Sequence, residues 1–207
     1  LEEGDSLLSV RITGGEDQIF IGTRQGQGIR FSEKDVRAMG RDTTGVIGVS
    51  LKRKDDEVVE MDVVNEKAHL LSVTENGYGK RSEVSEYRFQ GRGGSGVINI
   101  KVTEKNGPVV GIKSVTDADQ LLLITQSGML IRIKVKDIRE TGRPVQGVRL
   151  INLDPGDRVV AVAKLAETDE GEEEPQTALP TAEARPSGPK SKGDRSGAPF
   201  LGDEEEG

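Results

Sequence analysis

The sequence predicts an all-β chain: a bladed, propeller-like array of about three complete four-stranded units, preceded by the remnant of another and followed by an acidic tail. Three observations carry this. The 207 residues contain a gapless repeat with a period of 51; within each copy the apolar stretches are short, rich in Val and Ile, and broken by Gly, Asn, Asp or Pro; and no stretch fits a helix of ordinary length. Each blade of such an array hides its apolar face against the next, and about three suffice for stability.

The repeat is read from Leu70 to Arg81, which aligns without gaps on Leu121 to Arg132 and, shifted back, on Ile19 to Arg30. The register holds through Gly40-Arg41, Gly91-Arg92 and Gly142-Arg143, then through Gly45-Val46, Gly96-Val97 and Gly147-Val148, and slips by one residue near Pro155. Complete copies span 18–64, 69–115 and 120–165, while 1–13 matches the end of a copy, as Glu3-Gly-Asp-Ser resembles Pro155-Gly-Asp-Arg. The expected partition is a repeat domain over 1–166 and a tail over 167–207, in a chain that reads as a piece of something longer.

Strands are expected near 19–24, 28–31, 46–51 and 58–64 in the first copy. Their equivalents are 70–75, 79–82, 97–102 and 109–115 in the second, and 121–126, 130–133, 148–153 and 159–165 in the third. Asn76-Gly77, Ser127-Gly128 and Gln25-Gly26 stand where a tight hairpin turn needs positive φ. In the third strand of each copy Val49, Ile100 and Ile151 alternate with Ser50, Lys101 and Asn152, so one face is buried and the other wet.

Composition narrows the chemistry. There is no Cys and one His, which removes thiolate sites and most His-based metal and triad constellations. No catalytic and no metal site is expected. No apolar run approaches the roughly 20 residues of a membrane span, no signal peptide opens the chain, and a cytoplasmic location is expected. The formal charge of −7 is unevenly placed: residues 167–207 hold 12 acidic and four basic side chains, leaving 24 acidic and 25 basic ones in the body. The tail, rich in Glu, Pro, Gly and Ser, reads as disordered and solubilising, or as a competitor for a basic surface.

Nine of the body's basic residues occupy three repeated addresses: Arg30, Arg81 and Arg132; Arg37, Arg88 and Arg139; Arg41, Arg92 and Arg143. In stacked blades each address traces a line, which predicts an arginine stripe suited to a phosphate backbone; Lys80 beside Arg81 joins the candidate set. Aromatic residues make up 3% of the chain, so a base-stacking platform is disfavoured against a bent duplex on a convex rim. A second reading stays open: Asp35, Glu86 and Asp137 stand two residues before the second column and could close a salt bridge inside each blade. The third column lies in Gly-Arg-x-x-x-Gly loops whose glycines could admit a phosphate backbone or simply turn the chain.

The run Gly91-Arg-Gly-Gly-Ser-Gly96 spells a dinucleotide fingerprint, but a strand rather than a helix should follow it, so the match is accidental. His69 is expected to be structural, Tyr87 to pack in the core, and Tyr78 to lie on the surface.

Val73 to Ser82 and Val84 to Thr103 carry a resemblance to the C-terminal domain of DNA gyrase A subunits, which are type II topoisomerase components. It covers about 1–165. The resemblance implies a β-pinwheel with strands shared between neighbouring blades and a basic rim that wraps double-stranded DNA. Strand passage elsewhere in an A2B2 enzyme, using ATP and Mg, would then turn the wrap into negative supercoils. It further implies a bacterial, nucleoid-associated setting, partners in the rest of the A subunit, plus the B subunit, and no cofactor in this segment. The family's heptapeptide box is degenerate here: Gln90, Arg92, Gly93, Gly94 and Gly96 match, while Gly91 and Ser95 replace basic residues. The full box and the breakage-rejoining part are expected upstream of Leu1. The similar domain of topoisomerase IV and a propeller-like protein-interaction scaffold are the alternatives.

Overall fold

Each repeat opens with a β-hairpin, because two Val/Ile-rich stretches flank a turn whose glycine sits at positive φ: 81° at Gly26, 75° at Gly77 and 89° at Gly128. The computed structural model describes residues 4 and 6–165, within a unit spanning Leu1–Asp169. The expected tail lies outside the described residues.

The first hairpin pairs β1 (Gln18–Thr23) with β2 (Gln27–Ser32), and β3 (Val58–Val64) lines the other side of β1. The second repeat builds β4 (His69–Thr74), β5 (Tyr78–Glu83) and β7 (Val109–Val115) in the same antiparallel register; between them runs the short β6 (Val97–Ile98). The third contributes β8 (Gln120–Thr125), β9 (Leu130–Lys134), the short β10 (Val148–Arg149) and β11 (Val159–Leu165). A 3-10 turn follows each hairpin, at Glu33–Asp35, Val84–Glu86 and Val135–Asp137.

The short strands do not complete their own blade. β6 pairs with β2, placing Gln27 opposite Ile98, and β10 pairs with β5, placing Tyr78 opposite Arg149. The sheets therefore run β3-β1-β2-β6 and β10-β5-β4-β7, with a third of order β11-β8-β9. The expectation of three four-stranded blades is corrected to two of four strands and one of three, since the fourth strand of each comes from the following repeat. Residues 46–51 form no strand for the same reason. Their counterpart hairpin would belong to a preceding repeat, and no such hairpin occurs among the described residues.

The third-strand stretches are also shorter than expected, with two paired residues instead of six. Their alternation holds in part: Ile100 and Ile151 are buried while Ser50, Lys101 and Asn152 are exposed, but Val49 is half-buried and Asn99 is buried beside Ile100. Backbone bonds carry the repeat across the joints. Asn99 and Ile100 N–H groups donate to the Gly26 carbonyl at 2.8 and 3.2 Å, and Leu150 and Ile151 donate to Gly77 at 2.8 and 3.3 Å.

Apolar clusters fill the spaces between sheets. Phe20 of the first blade meets Tyr87 of the second edge to face at 5.1 Å, among Leu70, Val84, Ile100 and Ile112. Leu71, Val73, Leu121, Leu123 and Val159 form the next layer. Each such side chain contributes about 1.5–3 kcal/mol on burial.

The middle repeat departs from this pattern. Ser72, Lys80, Ser82 and Tyr87 are buried at addresses where the neighbouring copies carry Ile21 and Leu123, Ile29 and Ile131, Phe31 and Ile133, and Val36 and Ile138. Asn99 joins them, accepting from the Tyr87 hydroxyl at 2.6 Å and donating to Ser72 at 2.8 Å.

Candidate nucleic-acid interface

The three arginine columns have three different environments. In the first, Arg30 is only 4% exposed. Its Nε donates to Gln18 at 2.6 Å, one terminal nitrogen to the carbonyls of Val84 and Tyr87 at 3.0 and 3.2 Å, and the other to Glu66 at 2.8 Å. Arg81 repeats the arrangement one blade on, donating to the Ile138 carbonyl at 2.7 Å and pairing with Asp117. These guanidiniums grip the 3-10 turn of the next blade, and the expected exposure of the first column is corrected for Arg30 and Arg81. Arg132 is exposed and bonds to Gln120, because no blade follows it among the described residues.

The third column faces the other way along the array. The Arg92 N–H donates to Asp35 at 3.4 Å and its Nε to the Asp35 carbonyl at 3.1 Å, with a further bond to the Ile47 carbonyl. Arg143 matches it: its N–H donates to Glu86 at 3.0 Å, its guanidinium to the Ile98 carbonyl at 3.1 Å, and the group lies 5.7 Å from the Tyr87 ring centroid. The acidic column thus holds the loop of the next blade and closes no ion pair with the second column among the described residues. Arg41 is exposed and reaches no such partner there.

The second column is the outward one. Arg37, Arg88 and Arg139 are all exposed, just beyond the 3-10 turns, and none has a carboxylate partner among the described residues. Arg88 makes one weak bond, to Gln90 at 3.3 Å.

Lys80 is 0% exposed, with its ammonium bonded to Ser82, so its expected place beside the stripe is also corrected. Desolvation dominates there and pushes its pKa down to about 8; Glu86 opposes this and Arg143 adds to it. Tyr87 is raised above its usual value by the same burial.

The degenerate box forms part of the joint between the first two sheets. The Gln90 N–H donates to the Arg30 carbonyl at 3.1 Å, Gly93 to Gly48 at 2.9 Å, and Gly94 accepts from Ser50 at 3.0 Å. Gly96 has φ 69°, and a Cβ there would lie 2.3 Å from the Gly28 carbonyl oxygen. That glycine admits the chain's own backbone, which decides its role in favour of the turn.

No helix follows Gly91–Gly96, as the accidental fingerprint requires. His69 is tied to Glu140 at 3.0 Å, and Tyr87 is in the core. Tyr78, expected on the surface, is 8% exposed beneath two cations. The acids Glu66 and Asp117 were missed; their signal was a carboxylate recurring 36 residues after the first column. Among the described residues no group of three His, Asp or Glu side chains is placed to hold a metal ion, and no helix is long and apolar enough to cross a membrane.

Comparison with known proteins assigns this architecture. The family described as the DNA gyrase C-terminal domain, β-propeller, matches three times, at residues 17–65, 68–116 and 119–166. The chain belongs to that family.

The DNA gyrase A subunit of Staphylococcus epidermidis is 47% identical over 171 residues, covering 82% of this chain and 19% of the relative. The Klebsiella oxytoca protein of the same name is 46% identical over 173 residues, covering 84% and 20%. The chain therefore spans about a fifth of the length of these relatives. A solved DNA gyrase A C-terminal domain superposes with a TM-score of 0.68 at 32% identity, covering 73% of this chain and 51% of the other. The C-terminal domain of DNA topoisomerase IV gives 0.72 at 26% identity, covering 76% and 49%. The gyrase-type domain and its relative in topoisomerase IV share the bladed scaffold.

Proposed function

We propose that this gyrase-type domain binds duplex DNA along the line of its second arginine column and bends it, serving as the wrapping module of a gyrase A subunit. The observation that carries the reading is the exposure of Arg37, Arg88 and Arg139 at one address of three successive repeats, free of carboxylates among the described residues. A guanidinium so placed is always charged and offers paired donors to phosphate oxygens, and one stands at the same address in each of three successive repeats. Such contacts position the duplex without reading its sequence.

The other two columns support the reading indirectly. They lock successive blades in register, so the outward guanidiniums project from a rigid base. Arg41 and Arg132 add exposed charge where their own columns meet no neighbouring blade among the described residues. The partners are double-stranded DNA, the rest of the A subunit, plus the B subunit. In the whole enzyme, a duplex curved by the rim is handed to ATP-driven strand passage, which converts the wrap into negative supercoils.

The test is the salt dependence of duplex binding. Each phosphate contact adds about −0.9 to the slope of log K against log salt, so an Arg37/Arg88/Arg139→Ala variant should lose between about two and three from that slope, equally for unrelated sequences. An unchanged slope in a folded variant rejects the second column as the binding line.

A further inference from the structure

The second and third repeats meet at a cleft that none of the three arginine columns explains. It has a volume of about 480 Å³ and is bordered by Asn76, Tyr78, Lys105, Arg149, Asn152 and Asp157. Tyr78 opens β5 directly after the hairpin turn, opposite Arg149 of β10. The cleft therefore lies at the hairpin-turn end of the strands, whereas the second column follows their other end.

Two cations share the phenol. The Arg149 guanidinium lies 5.4 Å from the Tyr78 ring centroid and donates to the Tyr78 hydroxyl at 2.9 Å, with a second bond to Asn152 at 3.2 Å. The Lys105 ammonium also lies 5.4 Å from that centroid. Lys105 sits on a fixed turn: the Asn76 amide donates to the Glu104 and Lys105 carbonyls, both at 3.1 Å, and Asn106 closes the same turn on Thr103, Lys101 and Gln146.

Neither cation has a carboxylate within 4.0 Å among the described residues. The one carboxylate on the rim of the cleft, Asp157, is occupied by Ser127 N–H at 3.0 Å, Ser127 hydroxyl at 2.6 Å and Arg158 N–H at 2.8 Å. Arg149, held by Tyr78 and Asn152, and Lys105, carried on its fixed turn, thus bring two positive charges to one phenol, while the single carboxylate of the cleft is engaged by Ser127 and Arg158. The arrangement occurs once among the described residues: the addresses of Tyr78 and Arg149 are Gln27 and Ile98 one repeat earlier.

We propose that the Tyr78, Lys105 and Arg149 cleft is a phosphate-binding site, taking either a phosphodiester of bound duplex or a free phosphate group. A tetrahedral oxyanion answers the two cations, and Arg149 together with the Asn152 NH2 supplies directional donors. Its duplex arm rests on the DNA-binding reading above and would add a contact beyond the second column; its free-phosphate arm stands alone.

The test uses the full chain and a Lys105→Met/Arg149→Met variant, which removes both charges but keeps apolar cover over Tyr78. Circular dichroism checks that the variant is folded. Fluorescence anisotropy with a labelled duplex then measures the salt slope, and thermal melts with 0–20 mM inorganic phosphate at constant ionic strength measure free-anion binding.

A slope reduced by about one to two, with no phosphate effect, assigns the site to the DNA backbone. A phosphate-dependent rise in Tm in the parent that the variant lacks assigns it to free phosphate. Equal slopes together with equal phosphate responses overturn the proposal. Loss of salt-dependent duplex binding in the parent itself would reject the DNA reading while leaving the phosphate arm to decide the site. If the double variant does not fold, Lys105→Met alone, on an exposed turn, carries both measurements.

Discussion

Replacing Lys80 by Met tests the buried polar patch of the middle blade. The ammonium is fully enclosed, feels the charges of Glu86 and Arg143, and bonds only to Ser82. Its pKa falls from 10.5 to about 8 mainly because burial penalises the charged form. Folding at pH 7 must therefore bury a charge that the unfolded chain keeps in water. One pH unit is worth 1.36 kcal/mol, so the gap amounts to about 3 kcal/mol.

The sign follows from linkage. Between pH 8 and 10.5 the unfolded state binds the proton and the folded state does not, so the parent gains stability as pH rises through this window and loses it again as pH falls through 8. Met is uncharged throughout, and Ser82 keeps its bond to the Thr141 carbonyl at 2.6 Å. The variant should exceed the parent by about 3 kcal/mol at pH 7, with the difference closing by pH 11. Urea denaturation followed by circular dichroism at half-unit intervals from pH 7 to 11 measures it, since other titrations cancel in the comparison. Parallel parent and variant curves, or a less stable variant at pH 7, would refute the account of Lys80 as a buried cation.

Three further outcomes concern the joints. Arg30→Ala should cost about 3 kcal/mol or more in denaturation, because the Val84 and Tyr87 carbonyls lose a charged donor in a buried place, while the salt slope of duplex binding stays as it was. Gly96→Ala should lower stability by at least about 2 kcal/mol, since a side chain at φ 69° would collide with the Gly28 carbonyl; Gly91→Ala, with nothing within 4 Å, should cost far less in the same urea titration. Arg143→Ala should raise hydrogen exchange at Ile98, Asn99 and Ile100 by releasing the Ile98 carbonyl, while the backbone N–H at 143 keeps its bond to Glu86 and exchange in β1 is unchanged.

The blade count, the hairpins and the turn glycines were legible because a period of 51 forces three independent stretches to say the same thing. The fold of Asn76-Gly77 and the burial of Ile100 follow from local rules that repetition reinforces. What recurrence could not distinguish is an outward surface from an internal joint, since both repeat once per blade. Arg30 and Arg37 share a repeat and a charge, yet one is enclosed by Gln18, Glu66, Val84 and Tyr87 and the other is exposed. The distinguishing clue for the enclosed column was its acidic companion, Glu66 or Asp117. The acid next to the second column, Asp35 or Glu86, instead serves the backbone of the third. Lys80 was misplaced because its neighbour Arg81 set the expectation, whereas the address itself, Ile in both other copies, pointed inward.

The donation of β6 to the first sheet and β10 to the second means that no 51-residue copy is a self-sufficient module. Excising one copy along its own sequence boundaries would remove a strand from the copy upstream as well, and grafting one would import a loose strand with no sheet to join. Arrays of this kind can gain or lose members by recombination only when the crossover keeps phase with the period, so that every donor inherits a compatible acceptor. Blade number would then vary in whole steps.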